Sequence, residues 1–513
     1  MRGQSWEQWT KTKTPPPIDS SIDRLYKRNH SKHPLLLLGR GADGSPVYLT
    51  EEERKAHTHI IGTTQEGKSR FLEHLVRRDI KLGNGLVFID PSHNGNTVNR
   101  ILGYCEYIGF KKVLLIDPAH HHEHNKIVPL NPFYKYRQPS TIHVQSIMEV
   151  LFDMQNMAHF AFIGEYLPAL LGVLHDADMS LYESIYFSER DNRMYQNVRD
   201  EILDRAGESH DRIKIESAFI TPTKFQQFGS TVRRFNILNQ HETLKLMFGT
   251  KEHIDFPKLV RDGWVVLVNV SRGFELTKMH SKLLATAVIN ELIFTITRLT
   301  KKGWKGRYYL YIDEAGEYAN DQLADLLELK SQAGLAVVIA HQLLDQFKDA
   351  RIRRAITGMT KIKVAFYQPD PDDRMRTVKT LYGGELEDRQ VSYALKHLKK
   401  QQAVVMPNKQ EPQIIWIPDV KEYKVSKSFI KKLYEAPFYL NPKEVEEEIN
   451  ARIITGTSNQ SSQKRAASSD KSSGSSSSSR RGDGNSAGKA RLEELRKNKR
   501  AATDNPEEPK TSD

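Results

Sequence analysis

The chain has 513 residues, a formal net charge of +12 at pH 7 and one cysteine, Cys105. This length exceeds one ordinary domain, and a single cysteine excludes a disulfide framework and fits a reducing compartment. No run approaches 18 uncharged apolar residues and the N-terminus has no apolar core, so neither a membrane span nor a secretory signal is predicted. We expect a cytoplasmic protein whose positive charge favours an anionic partner, nucleic acid before membrane.

Changes in composition divide the chain into predicted segments. A polar stretch with three consecutive prolines opens it, strand-like and helix-like runs alternate on both sides of a helix-rich stretch, and a Ser-rich stretch almost without large apolar residues closes it. The segments are a flexible N-terminal arm (1–30), the first half of an α/β core (31–137), an all-α inserted domain (138–245), the second half of the core (246–425), a C-terminal helical segment (426–455) and a disordered basic tail (456–513).

The two core halves are predicted to form one mostly parallel sheet. The first half indicates a small hairpin followed by a β-α-β-α-β order, and the second half continues with further strand and helix patterns. Strands that are joined through helices run in one direction, so their C-terminal ends meet at one edge of the sheet, where ligands bind in such folds.

The stretch around which the chain is organised is IIGTTQEGKSRFLEHL, which begins at Ile60 and contains the pattern G-x-x-x-x-G-K-S. A short strand precedes the pattern and apolar residues at helical spacing follow it, as a phosphate-binding loop requires. Glycines let backbone N–H groups wrap the phosphates, Lys68 would reach the β- and γ-phosphates, and Ser69 would offer a hydroxyl to Mg²⁺. The predicted nucleotide-binding residues are Gly62, Thr63, Thr64, Gln65, Glu66, Gly67, Lys68, Ser69 and Arg70.

A second stretch, RYYLYIDEAGEYA, places Asp313 and Glu314 at the end of an apolar strand. This is the arrangement of a Walker B strand, in which Asp313 would hold Mg²⁺ and Glu314 would orient and deprotonate the attacking water. The later strand GLAVVIAHQ ends at Gln342. If the two strands are neighbours, Gln342 lies beside the carboxylates and can contact the γ-phosphate or its water. The predicted catalytic residues are Lys68, Glu314 and Gln342.

Two further stretches are rich in cations. TKFQQFGSTVRRFNIL interleaves Lys224, Arg233 and Arg234 with phenylalanines, a mixture that single-strand binders use to hold the backbone and stack bases. Helix periodicity would also bury these phenylalanines in an ordinary core, and the sequence leaves both interpretations open. The stretch DARIRRAITGM is predicted to contain a basic turn with Arg351, Arg353 and Arg354.

The order of the motifs resembles the HerA/FtsK superfamily, which has an α/β P-loop NTPase fold of the RecA-like, ASCE type. The stretches that carry the resemblance are GTTQEGKS, FIDPSHNG, YIDEAGEYAN, AGLAVVIAHQLLDQF and ITGMTKIKVAFYQPDPDD. Over residues 35–425 the chain is most similar to the cytoplasmic part of TraD-like coupling proteins of conjugative type IV secretion. The resemblance implies a hexameric, ring-forming DNA pump driven by ATP with Mg²⁺. It also implies Asp313 and Glu314 as the Walker B pair and Gln342 as the sensor.

Three features depart from that pattern. Coupling proteins commonly carry N-terminal membrane helices, whereas this chain is predicted to have no transmembrane segment and to reach the inner membrane only through a partner. Gln65 and Glu66 stand where many relatives have a glycine and a small residue, and a carboxylate near phosphate must point away or pair, for example with Arg70. Relatives often place an arginine before the sensor strand, where this chain has no arginine. The candidates for a cation that acts in trans are Arg233, Arg234, Lys330, Arg353 and Arg354.

Our hypothesis from the sequence is a translocase that moves DNA, of unassigned strand type, during conjugation or type IV secretion, with a relaxase or secretion-channel proteins as partners. One alternative is a HerA-type double-strand DNA translocase in repair or defence, with a nuclease partner. Another is a nucleotide-gated assembly protein in which ATP switches the affinity for DNA or a partner without translocation.

Overall fold

The computed structural model describes most of the chain between residues 35 and 452. The positions in that range outside the description are 42, 64, 93–94, 119–120, 135–160, 236–240, 273–275, 320, 330–333, 384 and 408–409. The predicted N-terminal arm (1–30) and the predicted disordered tail (456–513) also lie outside the described residues.

The described residues form eleven strands in one sheet, together with helices. The strands are β1 (Leu35–Arg40), β2 (Pro46–Thr50), β3 (Thr58–Ile61), β4 (Gly85–Asp90), β5 (Val113–Ile116), β6 (Val265–Asn269), β7 (Tyr308–Ile312), β8 (Leu335–His341), β9 (Ile362–Ala365), β10 (Gln402–Met406) and β11 (Gln413–Trp416). The helices are α1 (Glu51–Arg54), α2 (Lys68–Leu82), α3 (Asn96–Tyr107), α4 (His121–His124), α5 (Ala161–Asp176), α6 (Arg193–Ala206), α7 (His210–Ala218), α8 (Pro222–Phe235), α9 (Glu242–Gly249), α10 (Phe256–Arg261), α11 (Lys278–Lys301), α12 (Asp321–Leu329), α13 (Ala350–Met359), α14 (Pro371–Leu381), α15 (Glu385–His397) and α16 (Lys427–Tyr434). Short 3₁₀ turns cover Tyr182–Phe187, Ala315–Glu317 and Leu344–Gln346, and residues 442–452 are helical.

The sheet has a parallel part and an antiparallel part. Its strand order is β2-β1-β11-β10-β9-β3-β8-β7-β4-β6-β5. Neighbours from β9 to β5, the parallel part, all pair in parallel, whereas neighbours from β9 to β2, the antiparallel part, pair antiparallel. The predicted mostly parallel sheet is therefore confirmed, and the C-terminal ends of β3, β8 and β7 lie side by side at one edge.

The parallel part is the centre of the core. Every residue of its strands is buried, which explains why they are continuous apolar runs such as VVLVN and YYLYI. The long buried helix predicted after β6 is α11. It is the one described helix that is long and apolar enough to cross a membrane, with a mean hydropathy of 1.4 over its most apolar window, and 61% of that window is buried inside the protein. Such burial is typical of a core helix.

The described residues between 161 and 249 form helices and a 3₁₀ turn without a strand. This is the helical character that we predict for the insertion at 138–245, although residues 138–160 lie outside the description. The domain boundaries themselves stay predictions.

Two sequence interpretations change. The predicted basic turn is part of the helix α13, because Asp349 caps its first turn and apolar residues at helical spacing, Ile352 and Ile356, are buried. The hairpin before the phosphate-binding loop is present as β1 and β2, but its extension by β10 and β11 is an addition that the sequence interpretation lacks.

Candidate functional site

The loop between β3 and α2 contains the predicted nucleotide-binding residues. The N–H of Gly62 donates to the carbonyl of His341 at 3.4 Å. A Cβ at Gly62 would lie 2.5 Å from Cβ of Phe366, so a larger residue does not fit there. Gly67 has a φ of 112°, which favours glycine for its backbone freedom. The loop thus has the tight backbone that the motif predicts, although Thr64 lies outside the described residues.

Lys68 begins α2 and is buried. Its ammonium group donates to the carbonyls of Gly62, at 2.5 Å, and Thr63, at 3.3 Å. It also lies 3.8 Å from a carboxylate oxygen of Glu314. Burial lowers the pKa of Lys68, and the negative charges of Glu314 and Asp313 oppose that shift. The side chain is therefore held over the loop by two carbonyls and one carboxylate.

Ser69 and Asp313 are in direct contact. The hydroxyl of Ser69 donates to Oδ2 of Asp313 at 2.8 Å, and the N–H of Glu314 donates to Oδ1 at 2.9 Å. Burial raises the pKa of Asp313 to about 6, the charge of Glu314 acts in the same direction, and the hydrogen bond from Ser69 opposes both. A buried carboxylate in this position is one that a cation would stabilise.

Glu314 and Gln342 meet because β7 and β8 are parallel neighbours. Nε2 of Gln342 donates to Oε1 of Glu314 at 2.9 Å. The sequence predicts that Gln342 lies beside the carboxylates if the strands are adjacent, but it does not predict this hydrogen bond. Glu314 has a φ of 49°, in the left-handed region. A non-glycine residue there carries strain on the order of 1–3 kcal/mol, and such residues cluster at active sites and ligand clamps. The fold thus gathers all five predicted residues: Lys68, Ser69, Asp313, Glu314 and Gln342.

The unusual loop residues Gln65 and Glu66 lie beside this cluster. Gln65 is exposed with a φ of 66°, and Glu66 is half-buried. Arg70 pairs with Glu422 and lies 3.5 Å from Glu73. The suggested pairing of Arg70 with Glu66 is therefore wrong, because two other carboxylates occupy the guanidinium.

The candidates for a trans-acting cation lie in different places. Arg353 on α13 lies 3.6 Å from Asp345, in the 3₁₀ turn that follows β8. Arg354 is exposed on α13, and Arg233 is exposed on α8. The remaining candidates, Lys330 and the side chain of Arg234, lie outside the described residues. A cation that acts in trans comes from another copy of the chain, so the choice among these residues stays open.

The aromatic residues of α8 belong to the core. Phe228 is fully buried, with its ring 5.6 Å from Tyr166 and 5.4 Å from Phe219. Phe225 also packs on Phe219, with a ring separation of 5.1 Å. The core interpretation therefore applies to these two phenylalanines, and Phe228 is not available to stack on a base.

Two groups that the sequence does not assign lie next to the site. His59 on β3 and His341 on β8 are fully buried and hydrogen-bonded through their Nε2 atoms. Gln346 accepts hydrogen bonds from the turn that follows β8. The sequence gives no signal for a contact between His59 and His341, because it depends on which strands are neighbours.

The donor set fits Mg²⁺ bound together with a nucleotide. Mg²⁺ prefers oxygen ligands, keeps several waters, and binds through one or two protein groups plus substrate phosphates. Ser69 and Asp313 supply a hydroxyl and a carboxylate in contact with each other. The described residues contain no group of three or more His, Cys, Asp or Glu side chains that could hold a metal alone. The hydroxyl of Ser69 and the carboxylate of Asp313 therefore form a partial set of Mg²⁺ ligands, which the phosphates of a nucleotide would complete.

Comparison with known proteins gives a structural result only. No protein-family model matches the sequence, and no curated protein matches it. The plasmid coupling protein TrwB, in complex with a non-hydrolysable ATP analogue, superposes with a TM-score of 0.58 and 16% identity, over 81% of this chain and 96% of that chain. The chain has the fold of a conjugative coupling protein. VirB4 of Thermoanaerobacter pseudethanolicus matches at a TM-score of 0.52 and 15% identity, over 75% of this chain and 96% of that chain.

These similarities confirm the predicted α/β P-loop NTPase fold and the predicted resemblance to coupling proteins. Another structure of TrwB, in complex with ADP and Mg²⁺, matches at a TM-score of 0.55 and 15% identity, over 81% of this chain and 96% of that chain. At identities this low, the comparison establishes the fold and leaves the activity to be inferred from the site.

Proposed function

We propose that the protein is an ATPase that couples ATP hydrolysis to the movement of DNA in conjugative transfer or type IV secretion. The observation that carries this proposal is the convergence of Lys68, Ser69, Asp313, Glu314 and Gln342 at one edge of the sheet. The likeness to TrwB and VirB4 and the net charge of +12 support it.

The loop and Lys68 would bind the triphosphate. The loop turns tightly at Gly62 and Gly67, where a side chain would meet Phe366, and the N-terminus of α2 is favourable for an anion. Lys68 is already directed over the loop, so its charge needs little rearrangement to reach the β- and γ-phosphates. Ser69 and Asp313 would hold Mg²⁺, which neutralises phosphate charge when bound.

Glu314 would act as the general base. Its carboxylate lies within reach of both Lys68 and the Gln342 amide, so its position is set from two sides. Gln342 would orient the carboxylate or the attacking water and so respond to the state of the γ-phosphate. A general base of this kind contributes roughly 10²- to 10⁴-fold to the rate.

A test of the function compares ATPase rates without DNA, with single-stranded DNA and with double-stranded DNA, while light scattering measures the size of the ATP-bound species. We expect DNA to stimulate turnover and ATP to favour an oligomer, with a hexameric ring as the expected form. Preferential stimulation by double-stranded DNA would favour the HerA-type alternative. ATP-dependent DNA binding without stimulated turnover would favour the assembly-protein alternative, and absence of ATP binding would overturn the proposal.

A cation from a neighbouring copy would complete each site, so activity should depend on oligomers. Of the Ala variants of Arg233, Arg234, Lys330, Arg353 and Arg354, at least one should bind ATP normally and lose hydrolysis. Mixing that variant with Lys68→Ala should restore turnover, because each defect lies on a different side of the shared site. A specific activity independent of protein concentration down to the monomer would contradict this arrangement.

A further inference from the structure

The turn that carries the sensor Gln342 is held by a side chain from its own far end. Oε1 of Gln346 accepts hydrogen bonds from the N–H groups of Gln342, at 3.0 Å, and Leu343, at 3.3 Å. We call residues 342–346 the sensor turn. A single acceptor atom thus fixes the two peptide units from which the Gln342 side chain projects, and a change at Gln346 would release both of them.

The same side chain also touches the turn that follows Glu314. A Cβ at Gly316 would lie 2.6 Å from Cβ of Gln346 and 3.1 Å from its Oε1, so the two turns are in close contact. Gln346 therefore lies between the backbone of the sensor and the backbone of the predicted general base. Side chains of Gln342 and Glu314 complete the link with their own hydrogen bond at 2.9 Å.

The buried histidine pair also contacts the sensor turn. Nδ1 of His341 lies 3.0 Å from the carbonyl of Leu343, which can only accept, so Nδ1 carries the hydrogen. Burial lowers the pKa of His341 to about 3 and lowers the pKa of His59 as well, so both rings are neutral near pH 7. Nε2 of His341 is then an acceptor, and Nε2 of His59 on β3 is the donor to it.

We propose that Gln346 is a positioning residue that sets the amide of Gln342 on Glu314, with the His59–His341 pair as a second fixed contact to the sensor turn. The contacts form a continuous path from the strand before the phosphate-binding loop, through His59, His341 and the sensor turn, to Glu314 and Lys68. This inference rests on the proposed ATPase function. It adds a residue that does not itself touch the reacting atoms.

The first test uses two variants of Gln346 that separate packing from hydrogen bonding. Gln346→Met keeps the length of the side chain and removes the acceptor, whereas Gln346→Glu keeps an acceptor oxygen at the same position. Gln346 is half-buried, so neither change opens a cavity in the core. We expect kcat to fall about 10-fold in the Met variant, since misplacement of a catalytic group by ~1 Å lowers the rate by up to about 10²-fold. In the Glu variant, kcat should stay within a few-fold of the wild-type value. KM, the affinity for a fluorescent ATP analogue and the Tm should stay near wild-type values.

Lys348→Met is the matched control, because Lys348 is an exposed residue two positions after Gln346 and lies outside the sensor turn. Its kcat should equal that of wild type. If Gln346→Met also kept the wild-type kcat, or if Gln346→Glu lost as much as the Met variant, the positioning role would be wrong.

The second test asks whether Gln346 acts through Gln342. In the Gln342→Ala background, Gln346→Met should cause no further loss of kcat, because the group that it positions is gone. Additive losses in the double variant would overturn the inference while leaving the ATPase intact. A wild-type protein without ATPase activity would instead overturn the proposed function, so the two failures are distinguishable.

Discussion

The two parts of the sheet differ in what they contribute. In the parallel part, β3, β8 and β7 all run in one direction, and the residue that follows each strand enters the site: Gly62, Gln342 and Asp313. In the antiparallel part, alternate strand ends point to opposite edges, and none of the predicted site residues lies on β1, β2, β10 or β11. Parallel pairing thus turns separate motifs of the sequence into one site, whereas the antiparallel part extends the sheet.

The two parts of the sheet also differ in their exposure to solvent. Every residue of the parallel strands is buried, whereas each antiparallel strand has at least one residue that is partly exposed. A fully buried strand end can hold a carboxylate such as Asp313 out of water, which is the setting in which charge interactions are strong. We therefore expect changes at the edge of the parallel part to affect catalysis, and changes in the antiparallel part to affect stability.

The largest expected effect comes from two variants that separate the proposed nucleotide binding by Lys68 from the proposed catalysis by Glu314. Lys68→Ala should abolish binding of a fluorescent ATP analogue together with turnover, because it removes the positive charge over the loop. Glu314→Gln should retain the nucleotide and lower kcat by roughly 10²- to 10⁴-fold, since it removes only the base. Equilibrium binding and steady-state phosphate release measure the two effects separately.

Glu52→Gln is the matched control for Glu314→Gln, because Glu52 is an exposed carboxylate on α1, next to the antiparallel part. Its turnover should equal that of wild type. A kcat for Glu314→Gln within a few-fold of wild type would remove Glu314 from the mechanism and leave Asp313 as the supported Walker B residue.

The sequence predicts the parallel part of the sheet better than it predicts the antiparallel part. Strands of the parallel part end in recognisable motifs, so the sequence alone places Lys68, Asp313 and Gln342 at one edge. The strands β10 and β11 have only five and four residues, and each begins with a glutamine before a short apolar run. Periodicity does not assign such short runs, and the pairing of Trp416 with Arg40 joins distant ends of the chain.

The polar contacts around the site are predictable to a smaller extent. The position of Gln342 beside Glu314 follows from adjacent strands. The contact between His59 and His341 requires the further knowledge that β3 and β8 pair, with Ile61 opposite His341. The basic stretch before β9 is a helix because its apolar residues Ile352 and Ile356 have a core to pack against, which only the tertiary structure supplies.

The next largest effect should be one of stability. Arg54, on the short helix α1 that joins β2 to β3, forms two hydrogen bonds with the carboxylate of Asp79 on α2, at 2.7 and 2.6 Å. Its guanidinium also lies 3.7 Å from the ring centre of Tyr309 on β7. Arg54 is 5% exposed and Asp79 is 0% exposed. This buried ion pair ties the end of the antiparallel hairpin to the parallel part.

Arg54→Met should lower the free energy of unfolding by roughly 3–5 kcal/mol, because it leaves the buried carboxylate of Asp79 without its cation. Urea unfolding measures the loss, and the ATPase rate per folded molecule should stay near wild type. Lys55→Met, in the next position, removes an exposed pair with Glu52 and should leave the free energy of unfolding close to that of wild type, because water already screens that pair. Loss of ATPase activity in folded Arg54→Met protein would contradict the expectation that the parallel part serves catalysis and the antiparallel part serves stability.

The smallest expected effect lies where the two parts meet. The strand β9 pairs in parallel with β3 and antiparallel with β10. Lys363 on β9 is buried, and its ammonium group donates to the carbonyl of Thr357 and the hydroxyl of Thr360. Burial lowers the pKa of Lys363 to about 7. In the unfolded chain a lysine has a pKa of about 10.4, so between these two values the unfolded state binds more protons than the folded state.

The contribution of Lys363 to the free energy of unfolding should therefore increase as the pH rises above 7. From pH 7 to pH 9, the free energy of unfolding of the wild type should increase relative to that of Lys363→Met by about 2 kcal/mol, given ~1.4 kcal/mol per pKa unit. Urea unfolding at pH 7, 8 and 9 measures this difference in slope. Lys361→Met is the control, because Lys361 is exposed two residues earlier and should leave the wild-type slope unchanged. Equal slopes for wild type and Lys363→Met would mean that Lys363 stays charged inside the sheet. In that case the carbonyl of Thr357 and the hydroxyl of Thr360, at the end of α13, would stabilise a buried ammonium group at the boundary between the two parts of the sheet.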